Sequence, residues 1–403
     1  MDRVPDWNRV LARVAREIEL RTDALKERAG ERLGDVLPRR ERAGYVAPYR
    51  GYGRATEVFL SGRVLSEAQR RPSSRDDPWW RNLAESLRRL ESDEVPGARV
   101  RIRVGETEHT AVTDDEGYFR AWLTLSSPLP ADRRWHDADL ALLPDPAQQL
   151  AHTEPVPGTV TGHVLTPGED AAFGVISDLD DTVVRTDATS LIRMLRATLL
   201  HNAHTRLPFE GVAAFYRALH DGRPGASANP IFYVSSSPWN LYDLITEFLE
   251  LRGIPAGPVM LRDWGISGDG VLPTAHRDHK LAHIRQILSF YPELPFILIG
   301  DSGQEDPEIY STVVHEQPDR IRAIYIRNVS RDALRHSAIG RLADEVREAG
   351  SVLVLADDTY DAARHAAEHG WIDEASLAGI LREKEEDEPL VRREPVPTVV
   401  VEE

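Results

Sequence analysis

The stretch "FGVISDLDDTVVRTD", Phe173 to Asp187, decides the fold. Phe173, Gly174, Val175 and Ile176 are apolar or small and lead straight into Ser177-Asp178-Leu179-Asp180-Asp181-Thr182. A short apolar run of this kind reads as a buried strand, yet it ends in three carboxylates within four positions. A D-x-D-x-T string alone is weak, since an acidic chain can carry one on a solvated turn. Its place directly after an apolar strand raises it to a candidate site, because parallel sheets offer their functional residues at the carboxyl ends of strands.

Around this stretch, from Ala171 to about Leu381, apolar runs recur as "FGVIS", "IFYVS", "PVML", "FILIG", "RAIYI" and "VLVLA". Helical patterns lie between most of them, notably Asn240 to Arg252 and Lys280 to Phe290. Continuous apolar strands alternating with helices predict an α/β domain with a parallel sheet covered on both faces. Three further stretches join the first. "IFYVSSSPWN" puts Ser235 and Ser236 at the end of a second strand, and "HRDHKLAHIRQIL" puts Lys280 at the start of a helix. "FILIGDSGQEDPEIY" ends a strand in Asp301, with Asp306 five residues on. Each has a dull explanation by itself: a turn serine, a surface lysine, an acid at a helix N-terminus.

In this order the four stretches resemble the motifs of the haloacid-dehalogenase superfamily of phosphotransferases. The resemblance implies a Rossmann-like catalytic domain in which Asp178 attacks phosphorus as a nucleophile and Asp180 serves as general acid and base. It implies a magnesium ion held by the Asp178 carboxylate, the Asp180 backbone carbonyl and Asp301, with Asp306 binding or supporting it. Ser235 and Lys280 would hold the phosphoryl oxygens and offset developing charge, with Thr182 and Ser236 beside them at the substrate. A narrower resemblance runs from about Gly44 to Ile372. "GYVAPYRGYGRATEVFLSGRVL", "GVISDLDDTV", "FYVSSSPWNLYD", "ILIGDSGQEDPEIY" and "ADDTYDAARHAAEHGWI" are similar to the actin-patch-associated phosphatidate phosphatase family and its bacterial relatives. That family implies hydrolysis of phosphatidate to diacylglycerol, and the intact D-x-D-x-T argues against its inactive lipid-binding relatives.

The interval between Asp178 and Ser235 contains an ordinary helix, "FEGVAAFYRAL", so a small cap or none is expected, and an open site suits a bulky or interfacial substrate. Residues 185–206 carry an apolar stripe of Leu191, Leu195 and Leu199 with Arg193, Arg196 and Arg206. They suit either a lipid surface or a helix packed on the domain. A soluble, nucleotide or protein phosphoester is the alternative substrate, and a phospholipid-binding module without turnover the alternative class. His201 and His204, and likewise His276, His279 and His283, cluster without a supporting set of zinc ligands, and His279 lies next to Lys280. Neither a G-x-S-x-G elbow nor a G-x-x-x-x-G-K-[ST] loop occurs.

Toward the N-terminus the character changes. "EVFLSGRVL", "ARVRIRVGE" and "EGYFRAWLTL" read as strands, with turn chemistry at Asp115 to Gly117. They predict a β-sandwich over residues 45–165, interrupted by a polar, partly helical insertion from Glu67 to Glu94. Residues 1–44 read as an amphipathic helical segment, 166–381 as the phosphatase domain and 382–403 as a disordered charged tail. The chain of 403 residues carries a net charge of -17 and has 41% hydrophobic residues and no cysteine. The charge argues against nucleic acid as a partner, and the missing cysteines exclude disulfides and thiolate sites. No apolar run approaches the roughly 20 residues of a membrane span. With no apolar signal core at the N-terminus, the expected location is cytoplasmic, with peripheral membrane contact left open.

Overall fold

A computed structural model of the chain describes residues 44–66, 95–144, 158–179, 211–262, 274–330 and 332–391. The expected N-terminal helix, the insertion from Glu67 to Glu94, and Asp180, Thr182 and residues 185–206 lie outside the described residues.

The first sheet is built from β1 (Gly44–Pro48), β2 (Gly51–Arg54), β3 (Glu57–Ser66), β4 (Arg99–Val104), β5 (Thr107–Val112), β6 (Tyr118–Thr124), β7 (Trp135–Leu142) and β8 (Val160–Leu165). Burial alternates along β4 and β6, placing Val100, Ile102, Phe119, Ala121 and Leu123 inside, as a two-residue side-chain period demands. The turn before β6 follows its chemistry: Asp114 Oδ1 accepts the Glu116 and Tyr118 N–H groups at 3.0 and 2.9 Å, and Gly117 takes φ 75°.

Hydrogen bonding links these eight strands into one sheet around a shared core. The long β3 is the reason. It carries β2 and β1 along one edge and β6 along the other, so that Phe59 faces both Tyr52 and Trp122. All pairings are antiparallel except β2 with β8. Beyond the strand ladders, the Ser126 N–H donates to Thr107 Oγ1 at 2.9 Å, bringing the outer strand β5 back toward β6.

The second sheet is parallel throughout, in the order β11 (Val259–Arg262), β10 (Ile231–Pro238), β9 (Gly174–Asp178), β12 (Phe296–Asp301), β13 (Ile321–Arg327), β14 (Leu353–Ala356). These six strands match the six apolar runs in the sequence. They are legible there because strands buried on both faces are apolar at nearly every position. Val175 of β9 joins a core with α1 (Val212–Asp221), α2 (Tyr242–Leu251), α6 (Thr359–Glu368) and α7 (Ser376–Val391). Its neighbour Ile176 joins the opposite core, with α3 (Thr274–Phe290), α4 (Asp306–Glu316) and α5 (Ala333–Glu348).

Helix boundaries move in two places. The helix expected from Lys280 begins at Thr274, because polar "TAHRDH" forms its first turns ahead of the apolar stripe. The tail expected to be disordered from Arg382 is helical to Val391. Its charges are engaged: Glu383 Oε1 accepts the Ala214 N–H at 2.9 Å and pairs with Arg217, and Lys384 pairs with Asp358.

The two sheets are joined by the aromatic residues of "APYRGYGR". Tyr49 stacks on Trp239 with centroids 4.7 Å apart, and the Arg50 N–H donates to the Tyr242 hydroxyl at 2.6 Å. Tyr52 is 1% exposed. Its ring meets Phe232 and Phe290 edge-on, and Gln286 Nε2 donates to its hydroxyl at 2.6 Å.

Candidate active site

In β9 and β10, Asp178 stands level with Val234, so Ser235 is the first residue past their ladder. On the other side of β9, Ser177 is level with Ile299, which puts Gly300 and Asp301 at the same end of β12. The strand order reverses between β9 and β12, and the crevice outside the carboxyl ends at such a reversal is where open α/β sheets bind ligands. Topology alone therefore gathers Asp178, Ser235, Ser236 and Asp301 at one end of the sheet.

Two helices complete the group. Lys280 lies on the buried stripe of α3 with Leu281, Ile284, Ile287 and Leu288. Its ammonium reaches Asp178 Oδ1 at 2.8 Å and Asp306 Oδ1 at 2.6 Å. Asp306 opens α4, and its Oδ2 accepts the Asp301 N–H at 3.2 Å. Gly300 makes this approach feasible. A Cβ there would lie 2.4 Å from Asp306 Oδ2 and 2.7 Å from Asp306 Cβ. Ser235 and Ser236 are buried, and Ser235 Oγ accepts the Ser237 N–H at 3.0 Å.

One carboxylate oxygen each of Asp178, Asp301 and Asp306 lies within 4.8 Å of the others. Asp301 Oδ1 accepts the Gly303 and Gln304 N–H groups at 2.6 and 3.1 Å, whereas the buried Oδ2 has no hydrogen-bond partner among the described residues. A buried acceptor left in this state is costly. An all-oxygen, acid-rich set with such an atom fits a hard divalent cation. Burial, and then the neighbouring Asp306, push the Asp301 carboxyl up to about 6.

That shift has a direction for stability. An unfolded aspartate titrates near 3.9, so between about pH 4 and 6 the folded protein binds more protons than the unfolded chain. Stability of the metal-free protein therefore falls as pH rises through this window, by about 3 kcal/mol from this group. Asp301→Asn removes the titration. In urea unfolding with EDTA, the stability of Asp301→Asn relative to the original protein should rise by about that amount from pH 4 to pH 7. A difference that stays constant with pH would show that Asp301 is not the group responsible.

Several supports gave no local signal in the sequence. Arg335 of α5 donates from Nε to the Ser302 carbonyl at 2.8 Å and pairs with Glu308, bracing the loop that follows Asp301. Ser302 Oγ accepts the Val329 and Ser330 N–H groups at 2.9 and 3.1 Å. Behind Asp178, the Ser177 and Tyr216 hydroxyls meet at 2.5 Å. Beside Lys280, His279 places Nε2 3.2 Å from Nε2 of His283. Burial, with His279 and Arg120 nearby, lowers His283 to about 3, so that ring is neutral near pH 7.

Comparison with known proteins bears on the same region. Residues 173–328 match the family model described as phosphatidate phosphatase APP1, catalytic domain. Phosphatidate phosphatase APP1 of Saccharomyces cerevisiae is 33% identical over 177 residues, covering 44% of this chain and 29% of the yeast protein. An uncharacterized protein of Schizosaccharomyces pombe is 29% identical over 162 residues, covering 40% of this chain and 26% of that protein. The matches thus span less than a third of the length of these curated relatives. Among solved structures, a carbohydrate acetylesterase from Xanthomonas citri aligns over 76% of this chain and 75% of its own. Its TM-score of 0.23 and 13% identity are too low to bear on fold or function. Residues 173–328 are thus similar to the catalytic domain of phosphatidate phosphatase APP1, and the yeast protein of that name is similar to this chain over 177 residues.

Proposed function

We propose that the chain is a magnesium-dependent phosphoric monoester hydrolase of the haloacid-dehalogenase type, with a Rossmann-like catalytic domain, and that it converts phosphatidate to diacylglycerol. The observation that carries this reading is the buried group of Asp178, Asp301, Asp306 and Lys280 at the strand-order reversal. The relative named a phosphatidate phosphatase supports the choice of substrate.

In this reading an oxygen of Asp178 attacks phosphorus in line as the bond from phosphorus to the alcohol oxygen breaks. Asp180 gives the leaving oxygen its proton. The Asp178 acyl phosphate is then hydrolysed by water, which Asp180 deprotonates, restoring both carboxyl groups. Lys280, Ser235, Ser236 and Thr182 hold the phosphoryl oxygens. Asp178, Asp301 and Asp306 would hold magnesium together with the Asp180 backbone carbonyl. When bound, the ion offsets the repulsion between these acids and a phosphate dianion. Lys280 already neutralises part of that charge, which lets the anion enter an acidic site. A cytoplasmic location with peripheral contact at a phosphatidate-bearing membrane accords with this substrate.

The test is phosphate release from phosphatidate in mixed micelles, with magnesium or with EDTA, beside a soluble aryl phosphate. Release from the lipid that requires the metal is expected. Release from the aryl ester alone would discard phosphatidate and keep the chemistry, and release from neither would discard both.

A further inference from the structure

A cavity of about 110 Å³ opens beside Asp178 and Asp301, on the α1 and α2 face of the sheet. Its walls are largely apolar and come from separate elements: Val212 and Phe215 of α1, Phe248 of α2, Ile254 just beyond it, Ile299 of β12 and Ala362 of α6, while Arg327, Asp358 and Thr359 add polar groups. The two catalytic-end carboxylates stand at one side of a space otherwise lined largely by hydrocarbon. The lysine that would meet the phosphoryl group comes from the opposite face, on α3. A phosphoester poised at Asp178 thus has a polar side toward Lys280 and an apolar side toward this cavity.

We infer that the cavity takes the first methylene groups of the hydrocarbon carried by the substrate's leaving alcohol. This assigns the alkyl part of an ester to a site of its own, and it rests on the phosphatase reading for the place of the phosphoryl group. The chemistry of the walls favours this occupant. Apolar cavities of comparable size stay dry and bind hydrocarbon, and burying one methylene improves binding by about fourfold. Against the apolar part of the wall a polar or charged group would lose its hydration with little in return. The site therefore selects esters by the hydrocarbon that their alcohol carries, and selection ends once the cavity is filled.

The test uses a series of n-alkyl phosphates from ethyl to octyl, each below its micelle concentration, with magnesium present. kcat/KM should rise by about fourfold per added methylene over the first few carbons and then level off. Ala362→Leu, which projects into the cavity, should lower the octyl-to-ethyl ratio of kcat/KM at least tenfold. An unchanged ratio, or a series without slope in the original protein, overturns the inference. Binding supplies a readout free of turnover: a neutral fluorescent fatty alcohol should bind the Asp178→Asn protein saturably, and 1-octanol should displace it better than ethanol. If no ester is hydrolysed but the alcohol binds in this way, the phosphatase reading fails and the cavity assignment survives. Absence of binding overturns the assignment.

Discussion

Asp178→Asn is expected to lower phosphate release by about 10⁴- to 10⁶-fold, the loss that follows removal of an enzyme's nucleophile, while leaving the protein folded. An amide keeps the shape of the carboxylate, and the 3%-exposed side chain stays in place at the end of β9. What it loses is the negative charge that attacks phosphorus in the proposed mechanism and that faces Lys280 at 2.8 Å. The lysine retains Asp306 at 2.6 Å, so its own charge remains paired. Phosphate release and urea unfolding on the same preparation separate the two effects. Turnover within tenfold of the original protein would remove Asp178 as nucleophile, and unfolding of the variant would show that the ion pair, rather than chemistry, fixed its identity.

Lys280→Met should have a double effect. The methionine fits the stripe of α3 but leaves Asp178 and Asp306 without the cation that both contact. Breaking a buried pair by removing one partner costs about 3–5 kcal/mol, because the remaining charge is buried without compensation. The metal-free variant should therefore unfold at markedly lower urea than the original protein at pH 7. Magnesium should restore much of the lost stability, since a divalent cation replaces the missing positive charge in the same group. Activity should still fall by about 10²- to 10³-fold, because the proposed mechanism loses the donor that it assigns to the phosphoryl oxygens. A metal-free stability equal to the original would mean that the carboxylates do not depend on this lysine.

The sequence disclosed the parallel sheet more fully than the sheet before it, for a physical reason. β9, β12 and β13 are covered on both faces, so "GVI", "FILIG" and "AIYI" carry no charged residue and little polarity. In β7 the alternation is broken by His136, which is 4% exposed and bonds to Thr166 Oγ1 at 2.8 Å. β2, "GYGR", is half glycine and is held by its neighbours rather than by its own preference. Within the site, Asp178, Lys280, Asp301 and Asp306 were legible because their order along the chain is a motif. Arg335 was not. Its contact with the Ser302 carbonyl spans 33 residues and exists only once α5 has packed beside the loop.

The tyrosine seam between the sheets has a consequence for how the chain is made. Arg50 bonds to Tyr242 across 192 positions, and Tyr52 to Gln286 across 234. Ribosomes add about 5–20 residues per second, so the "APYRGYGR" segment is synthesised roughly 10–50 s before its partners exist. Through that interval Tyr49 lacks Trp239, and Tyr52 lacks Phe232 and Phe290. The seam can therefore close only after the second sheet has been made, so the docking of the two sheets is a late event in the life of the chain.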